Sequence, residues 1–386
     1  MEMPERRISN RVAGLIVFIG CLAFLETMSR FLVFLDLLPY QTYQTSAVPV
    51  FKDSINEAVG IWNYPNARAR VFKSCFDVAV SSNSVGAADR ERTLTSAAPQ
   101  RIVVLGDSFT EGYGVEQEQR FSNLLEQTTG TEHMNFAMER QGTIQEWLVY
   151  ETMAKRFDHS AIYLFVLPFN DFINNDAQGE GQALYRPLLK ASETGFEVFY
   201  KIPFEDRPRK HLNTWEIVKN TIDNEVYLAN VSRWGLRQAK ARFSQRNDSV
   251  ETVQGPRNYY DSFSDLDLTI FFYSLEQIIR AAEGRPFYIF LIPVAKDFEY
   301  AREGGYDFAL LEQLTAFQQD HDTVEVIDLL PYFLRHAGLN GMEYEDYLHS
   351  CDSHWNTLGH QVVAEAVIEG VRNSRLSSTE AAQSTK

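Results

Sequence analysis

The stretch that decides the fold is Val103-Val104-Leu105-Gly106-Asp107-Ser108-Phe109-Thr110-Glu111-Gly112. Residues 102–105 are all apolar, a run of strand length that ends in a glycine, as expected of a strand buried on both faces. Similar runs lie at 162–167, 287–293 and 324–329, and helical patterning covers 117–127. The segments between these runs are long enough for helices. This alternation predicts an α/β domain, a three-layer sandwich whose central sheet is parallel and whose crossovers are right-handed. The last helix has a start signal in Asn356, followed by Leu358, Val362, Val363, Ala366, Val367 and Val371 at helical spacing, so it covers one face of the sheet.

Outward from that domain the chain reads as four parts. Residues 1–40 hold an uncharged run, 12–25, behind the basic flank of Arg6, Arg7 and Arg11. Fourteen apolar residues fall short of the roughly 20 a spanning helix needs, but Thr27, Met28 and 31–35 extend the run, with Glu26 and Arg30 set against the extension. No small-x-small cleavage site follows, so the segment is expected to be an uncleaved signal-anchor, with the N-terminus cytoplasmic and the remainder exported. Residues 41–100 read as linker and peripheral wrapping, 101–373 as the regular domain with an insertion at 174–260, and 374–386 as a disordered tail. The insertion is rich in charge and aromatics and reads equally as a lid or as a structural elaboration.

Composition removes several function classes. Among 386 residues, 36 Lys and Arg against 52 Asp and Glu leave a net charge of −16, which cannot supply the clustered cations of a nucleic-acid binder. Three cysteines are too few for a disulfide scaffold, and no Cys/His cluster suggests zinc. The chemistry expected is therefore free of metal and cofactor. Ser108 stands directly beyond a strand end, where parallel sheets bind their ligands. Asp107 and Ser108 are also helix-capping residue types. A serine nucleophile needs a base, and the base needs an acceptor on its second nitrogen. The segment Cys351-Asp352-Ser353-His354-Trp355-Asn356 offers both, in Asp352 and His354.

Taken together these segments resemble the SGNH hydrolases, the GDSL-like esterases, whose four blocks occur here in family order. Gly106-Asp107-Ser108-Phe109-Thr110 is similar to the first block and Asp352-Ser353-His354 to the last. Asn170-Asp171 corresponds to the third, and the stretch Asn135 to Thr143 to the second, with Arg140 where many members have glycine and Gly142 at a second glycine found in some branches. The resemblance implies a flavodoxin-like fold, a catalytic triad of Ser108, His354 and Asp352, and an oxyanion hole of Ser108, Asn170 and Gly142, with Arg140 the rival of Gly142. Many members space acid and base as Asp-x-x-His. The Asp-x-His-Trp-Asn pattern here is similar to branches with an N-terminal membrane segment and to alginate O-acetylation proteins, which implies acyl chemistry on exported or cell-surface carbohydrate.

The function expected is thus a membrane-anchored serine esterase acting on an acyl, specifically acetyl, ester of a carbohydrate or small molecule. An O-acyltransferase of envelope polysaccharide shares the first half-reaction, and a non-catalytic carbohydrate-binding protein shares the fold. Cys75 and Cys351 read equally as a disulfide or as two buried thiols, Trp355 as a core or pocket residue, and His360 as structural.

Overall fold

A computed structural model describes residues 10–35, 37–38, 52–73, 75–96, 100–176, 185–193, 195–207, 215, 218–219, 222, 225–244, 260 and 263–374. Two compact units are distinguished within the chain: a smaller one of residues 1–49, 72–77 and 211–253, and a larger one of 50–71, 78–210 and 254–386. The 374–386 tail lies outside the described residues but for its first member, as do 41–51 and much of the 174–260 insertion.

In the smaller unit, α1 (Asn10–Phe34) is one unbroken helix of 25 residues whose apolar side chains are largely exposed. At 1.5 Å per residue it is about 38 Å long, enough for a hydrocarbon core of about 30 Å. It is therefore long and apolar enough to anchor in a membrane. The two charges in its C-terminal half have partners. Glu26 and Arg30 pair one turn apart at 2.8 Å. The Glu26 carboxylate also accepts from the backbone N–H groups of Tyr227 (3.1 Å) and Leu228 (2.8 Å), and Arg30 donates to Glu225 O at 2.7 Å.

The larger unit opens with β1 (Lys52–Asn56) paired antiparallel to β2 (Gly60–Asn63); β3 (Arg68–Lys73) and β4 (Phe76–Ser81) form a second two-stranded sheet, whose tip, residues 72–77, is counted with the smaller unit. The 41–100 stretch is thus more than the linker and wrapping expected of it, since Val59, Trp62 and Ala87 are buried in the main hydrophobic core. Along β4 itself, Phe76 and Val78 are buried while Asp77 and Ala79 face out.

The central sheet has five parallel strands, β5 (Arg101–Gly106), β6 (Glu132–Asn135), β7 (Ala161–Val166), β10 (Phe287–Leu291) and β11 (Val324–Asp328), in the order β11-β10-β7-β5-β6. The remaining hairpin, β8 (Leu188–Ser192) with β9 (Gly195–Phe199), is a separate antiparallel pair. Every residue of β5, β7 and β10 is buried. Val103, Val104 and Leu105 have no exposure at all, and each such side chain contributes on the order of 1.5–3 kcal/mol relative to remaining in water. Counted within the sheet, the order is 2-1-3-4-5, the flavodoxin-like arrangement, in which the chain reverses direction of growth between its first and third strands. Those strands are β5 and β7, and ligands gather beyond their carboxyl ends.

Helices fill the crossovers: α2 (Ser108–Glu111), α3 (Phe121–Thr129), α4 (Thr143–Thr152) and α5 (Pro168–Asn175), then, after α6 (Tyr227–Ser244) of the smaller unit, α7 (Asp265–Ala282), α8 (Ala295–Arg302), α9 (Ala309–Gln319), α10 (Leu330–Asn340) and α11 (Thr357–Asn373). The cap expected of Asn356 is present, its side chain accepting from Leu358 and Gly359 N–H. Behind it, Val362, Val363, Ala366 and Val367 of α11 are buried. His360 is buried too. Its Nδ1 accepts from Phe121 N–H at 3.3 Å, and burial holds the imidazole down to about 3, so it is a neutral packing residue. Cys75 and Cys351 are disulfide-bonded, whereas Cys21 is a free thiol.

Candidate active site

Strand β5 ends in Gly106 with φ +151°, and a Cβ there would lie 2.3 Å from Thr110 Oγ1 and 3.0 Å from Phe165 O. Only glycine permits this sharp exit from the sheet. It delivers Asp107 as N-cap and Ser108 as the first residue of α2. Asp107 does cap, accepting from Phe109 N–H at 3.0 Å. Its other oxygen accepts from Asn170 Nδ2 at 2.7 Å. The capping reading of Asp107 therefore holds, and the same carboxylate also fixes a side chain from the neighbouring strand's exit.

The structure brings Ser108, His354 and Asp352 together across 246 residues of sequence, with His354 Nε2 2.7 Å from Ser108 Oγ. His354 Nδ1 hydrogen-bonds to Asp352 Oδ1, an oxygen that also accepts from the His354 backbone N–H at 3.0 Å. The Asp-x-His spacing thus forms a tight local turn in which one carboxylate oxygen takes two donors from the same residue. The imidazole lies between the rings of Phe109 and Tyr113, each centroid 4.8 Å from its own. Trp355 is wholly buried, donates to Tyr344 OH at 3.2 Å and meets Phe109 edge-on. It is a core residue rather than a pocket wall.

Asn170 stands in the first turn of α5, beyond β7, which pairs with the strand that leads to Ser108. Ser108, Asn170, Arg140 and His354 share the wall of a cavity of about 470 Å³, closed further by Tyr260 and Val294. The two rivals for the second-block position part here. Arg140 lines this cavity, whereas Gly142 does not and opens α4 against α5, where a Cβ would come within 2.9 Å of Asp171 O. Close packing of two helices accounts for that glycine. Arg140 has φ +63°, the left-handed region that glycine adopts freely, in keeping with the glycine that many of the hydrolases it resembles have at this place.

Behind Asp107 lie two further acids that the sequence did not single out by role. Glu146 and Asp171 have no exposure, and burial first, with repulsion from Asp107 and, for Asp171, from Glu146, raises both well above the usual carboxylate range. Asp107 is raised as well, by burial first, with the Asn170 amide pulling it down. Arg186 and Asn174 were also unforeseen. Arg186 Nη1 donates to Asn174 O (2.9 Å) and Oδ1 (3.0 Å), and Nη2 to Arg140 O (3.0 Å). Among the described residues, no group of His, Cys, Asp and Glu is arranged to hold a metal ion. The arrangement can take a proton from a serine hydroxyl, stabilise the resulting imidazolium, and offer N–H groups to an oxyanion beside Ser108.

No family model and no curated protein matches the sequence. Among solved structures the chain is similar to a member of the lipolytic protein G-D-S-L family from Veillonella parvula, at 15% identity over 71% of this chain and 100% of that one, with a TM-score of 0.36. It is also similar to a family two carbohydrate esterase from Clostridium thermocellum, at 10% identity over 76% of this chain and 67% of that one, TM-score 0.37. A third is a psychrotrophic esterase from Pseudoalteromonas sp., at 10% identity over 71% and 97%, TM-score 0.34. By its own strand order, and by the blocks that meet where that order reverses, the chain has the flavodoxin-like α/β fold of the SGNH hydrolases it resembles.

Proposed function

We propose that this protein is a membrane-anchored serine esterase that removes an acyl group, acetyl in the first instance, from an exported or cell-surface carbohydrate. The observation that carries the reading is the hydrogen-bonded run from Ser108 Oγ through His354 to Asp352, set where the sheet order reverses. His354 Nε2 takes the Ser108 proton as Oγ attacks the ester carbonyl carbon. The tetrahedral oxyanion is met by the Ser108 N–H, Asn170 Nδ2 and the Arg140 N–H. Arg140 is preferred to Gly142 because it is the one that lines the cavity. A single such donor is worth about 2.7–4 kcal/mol. His354 then protonates the departing sugar hydroxyl as the C–O bond breaks, and water, deprotonated by the same nitrogen, releases the acid and frees Ser108.

Export is supported by the long apolar helix α1 behind the basic flank of Arg6 and Arg7. The test uses the full-length protein with a fluorophosphonate probe and with p-nitrophenyl acetate, with and without oligosaccharide acceptors. Labelling at Ser108 and acetate release without acceptor, both lost in Ser108→Ala, support the esterase. Release that waits for a sugar and yields acylated sugar assigns an acyltransferase. Carbohydrate binding indifferent to Ser108→Ala, with no labelling, overturns catalysis.

A further inference from the structure

The buried cation of Arg186 has no place in the chemistry above, yet it is bonded directly to one residue that chemistry uses, Arg140, and through Asn174 to another, Asn170. Arg186 precedes β8 and is 2% exposed. Among the described residues its three hydrogen bonds go to neutral oxygens, and its Nε has no partner. Burial pulls the guanidinium down to about 10, with the Arg140 charge adding to the effect. A cation desolvated without a carboxylate is costly, which points to a task other than stability.

The hydrogen-bond directions show what that task is. A guanidinium donates and cannot accept, so it holds Asn174 with Oδ1 towards Arg186 and Nδ2 away from it. That Nδ2 donates to Asn170 Oδ1 at 2.8 Å and to Gln141 O at 3.2 Å. Asn170 is thereby held with its own Nδ2 towards Asp107 and the cavity. At the far end the Asp107 carboxylate accepts, so an obligate donor and an acceptor give the two amides between them one common direction. The second hand of the same guanidinium fixes the carbonyl of Arg140, whose backbone is left-handed.

We propose that Arg186 is a positioning residue for the oxyanion side of the site, setting the amide orientation of Asn170 through Asn174 while holding the Arg140 turn. The inference rests on the esterase reading for its effect on rate, but the orientation of Asn170 can be observed without turnover. The variants are Arg186→Met, Arg186→Lys and Asn174→Asp. Asn174→Asp keeps the acceptor facing Arg186 and adds an ion pair, but it removes the donor to Asn170.

The readouts are kcat and KM for p-nitrophenyl acetate, the melting temperature, and the Asn170 side-chain amide resonances of ¹⁵N-labelled protein, identified by their loss in Asn170→Ala. A small displacement at a reacting centre costs up to about 100-fold. The expected result is a kcat lowered about 10- to 100-fold in Arg186→Met and Asn174→Asp, with KM within about threefold. The Asn170 resonances should shift in both, Asn174→Asp should melt no lower than the parent, and Arg186→Lys should recover part of kcat. A structural role alone would lower the melting temperature of Arg186→Met and leave Asn174→Asp active. Folded variants with unchanged kcat and unmoved Asn170 resonances overturn the proposal. Asn170 resonances that shift in the variants, when the parent protein itself never turns over ester, leave the positioning role standing and overturn the esterase reading instead.

Discussion

Replacing Asp352 by asparagine separates the charge of the acid from its hydrogen-bond geometry, because one oxygen takes both donors. Oδ1 accepts from the His354 backbone N–H as well as from the ring Nδ1. In Asp352→Asn an amide NH2 at that position would face two donors, so the amide oxygen is forced into it and the imidazole keeps its acceptor and its tautomer. What is lost is the charge. A hydrogen bond to a charged group contributes about 1.5–3 kcal/mol and a neutral one about 0.5–1.5. The difference of about 1–2 kcal/mol corresponds to roughly a 5- to 30-fold fall in rate. Asp352→Ala removes the acceptor as well and frees the tautomer, for which a loss on the order of 10⁴-fold is expected. The assay is the second-order rate of fluorophosphonate labelling at Ser108 beside kcat/KM for p-nitrophenyl acetate, with melting temperatures to show that both variants fold. Equal damage in the two variants would refute the argument from the shared oxygen. Activity within twofold of the parent in both would remove Asp352 from the mechanism.

Three further outcomes follow from separate parts of the molecule. Glu146 has a carboxyl raised well above an unfolded value near 4.3, so it favours the fold fully below that pH and progressively less as pH rises towards the raised folded value. Glu146→Gln should therefore gain melting temperature relative to the parent between pH 5 and pH 9, on the order of several degrees, and parallel curves would contradict this. Non-reduced, denatured protein should titrate one thiol, Cys21, and reduced protein three; three thiols before reduction would exclude the disulfide state of Cys75 and Cys351. The intact chain should stay with membranes through a high-salt wash and lose that association on deletion of residues 1–40, whereas a soluble intact chain would refute anchoring by α1.

The parallel core was legible because a strand buried on both faces writes itself as an unbroken apolar run. The runs at 102–105, 162–167, 287–293 and 324–329 became β5, β7, β10 and β11. The fifth strand was not legible in this way. β6 is Glu132-His133-Met134-Asn135, four residues at the sheet edge paired on one side alone, with no run to display. Ser108, Asp352, His354 and Asn170 could be named because chemistry restricts their residue types and the blocks fix their order. Gly142 matches a second glycine found in some branches of the family the chain resembles, whereas the left-handed turn at 140 is here adopted by arginine, which a sequence does not announce. Arg186 carried no signal at all. It lies between Tyr185 and Pro187 in a stretch without periodicity, and its importance resides wholly in bonds to residues up to 46 positions away.

The carboxylate that reaches from α1 to the first N–H groups of α6 has a practical bearing on how a soluble form of this protein should be cut. Tyr227 and Leu228 take their acceptor from Glu26, and Glu225 O takes its donor from Arg30. A truncation at residue 40, the natural choice for crystallisation or enzymology, strips the start of α6 of its cap along with α1. Losing a cap costs about 0.5–2 kcal/mol, and the fraying that results would be blamed on the missing membrane. A graft of Asp or Ser at Val226, directly before the helix, would restore an acceptor from within the helix's own chain, so that what the truncated enzyme then lacks is the anchor alone.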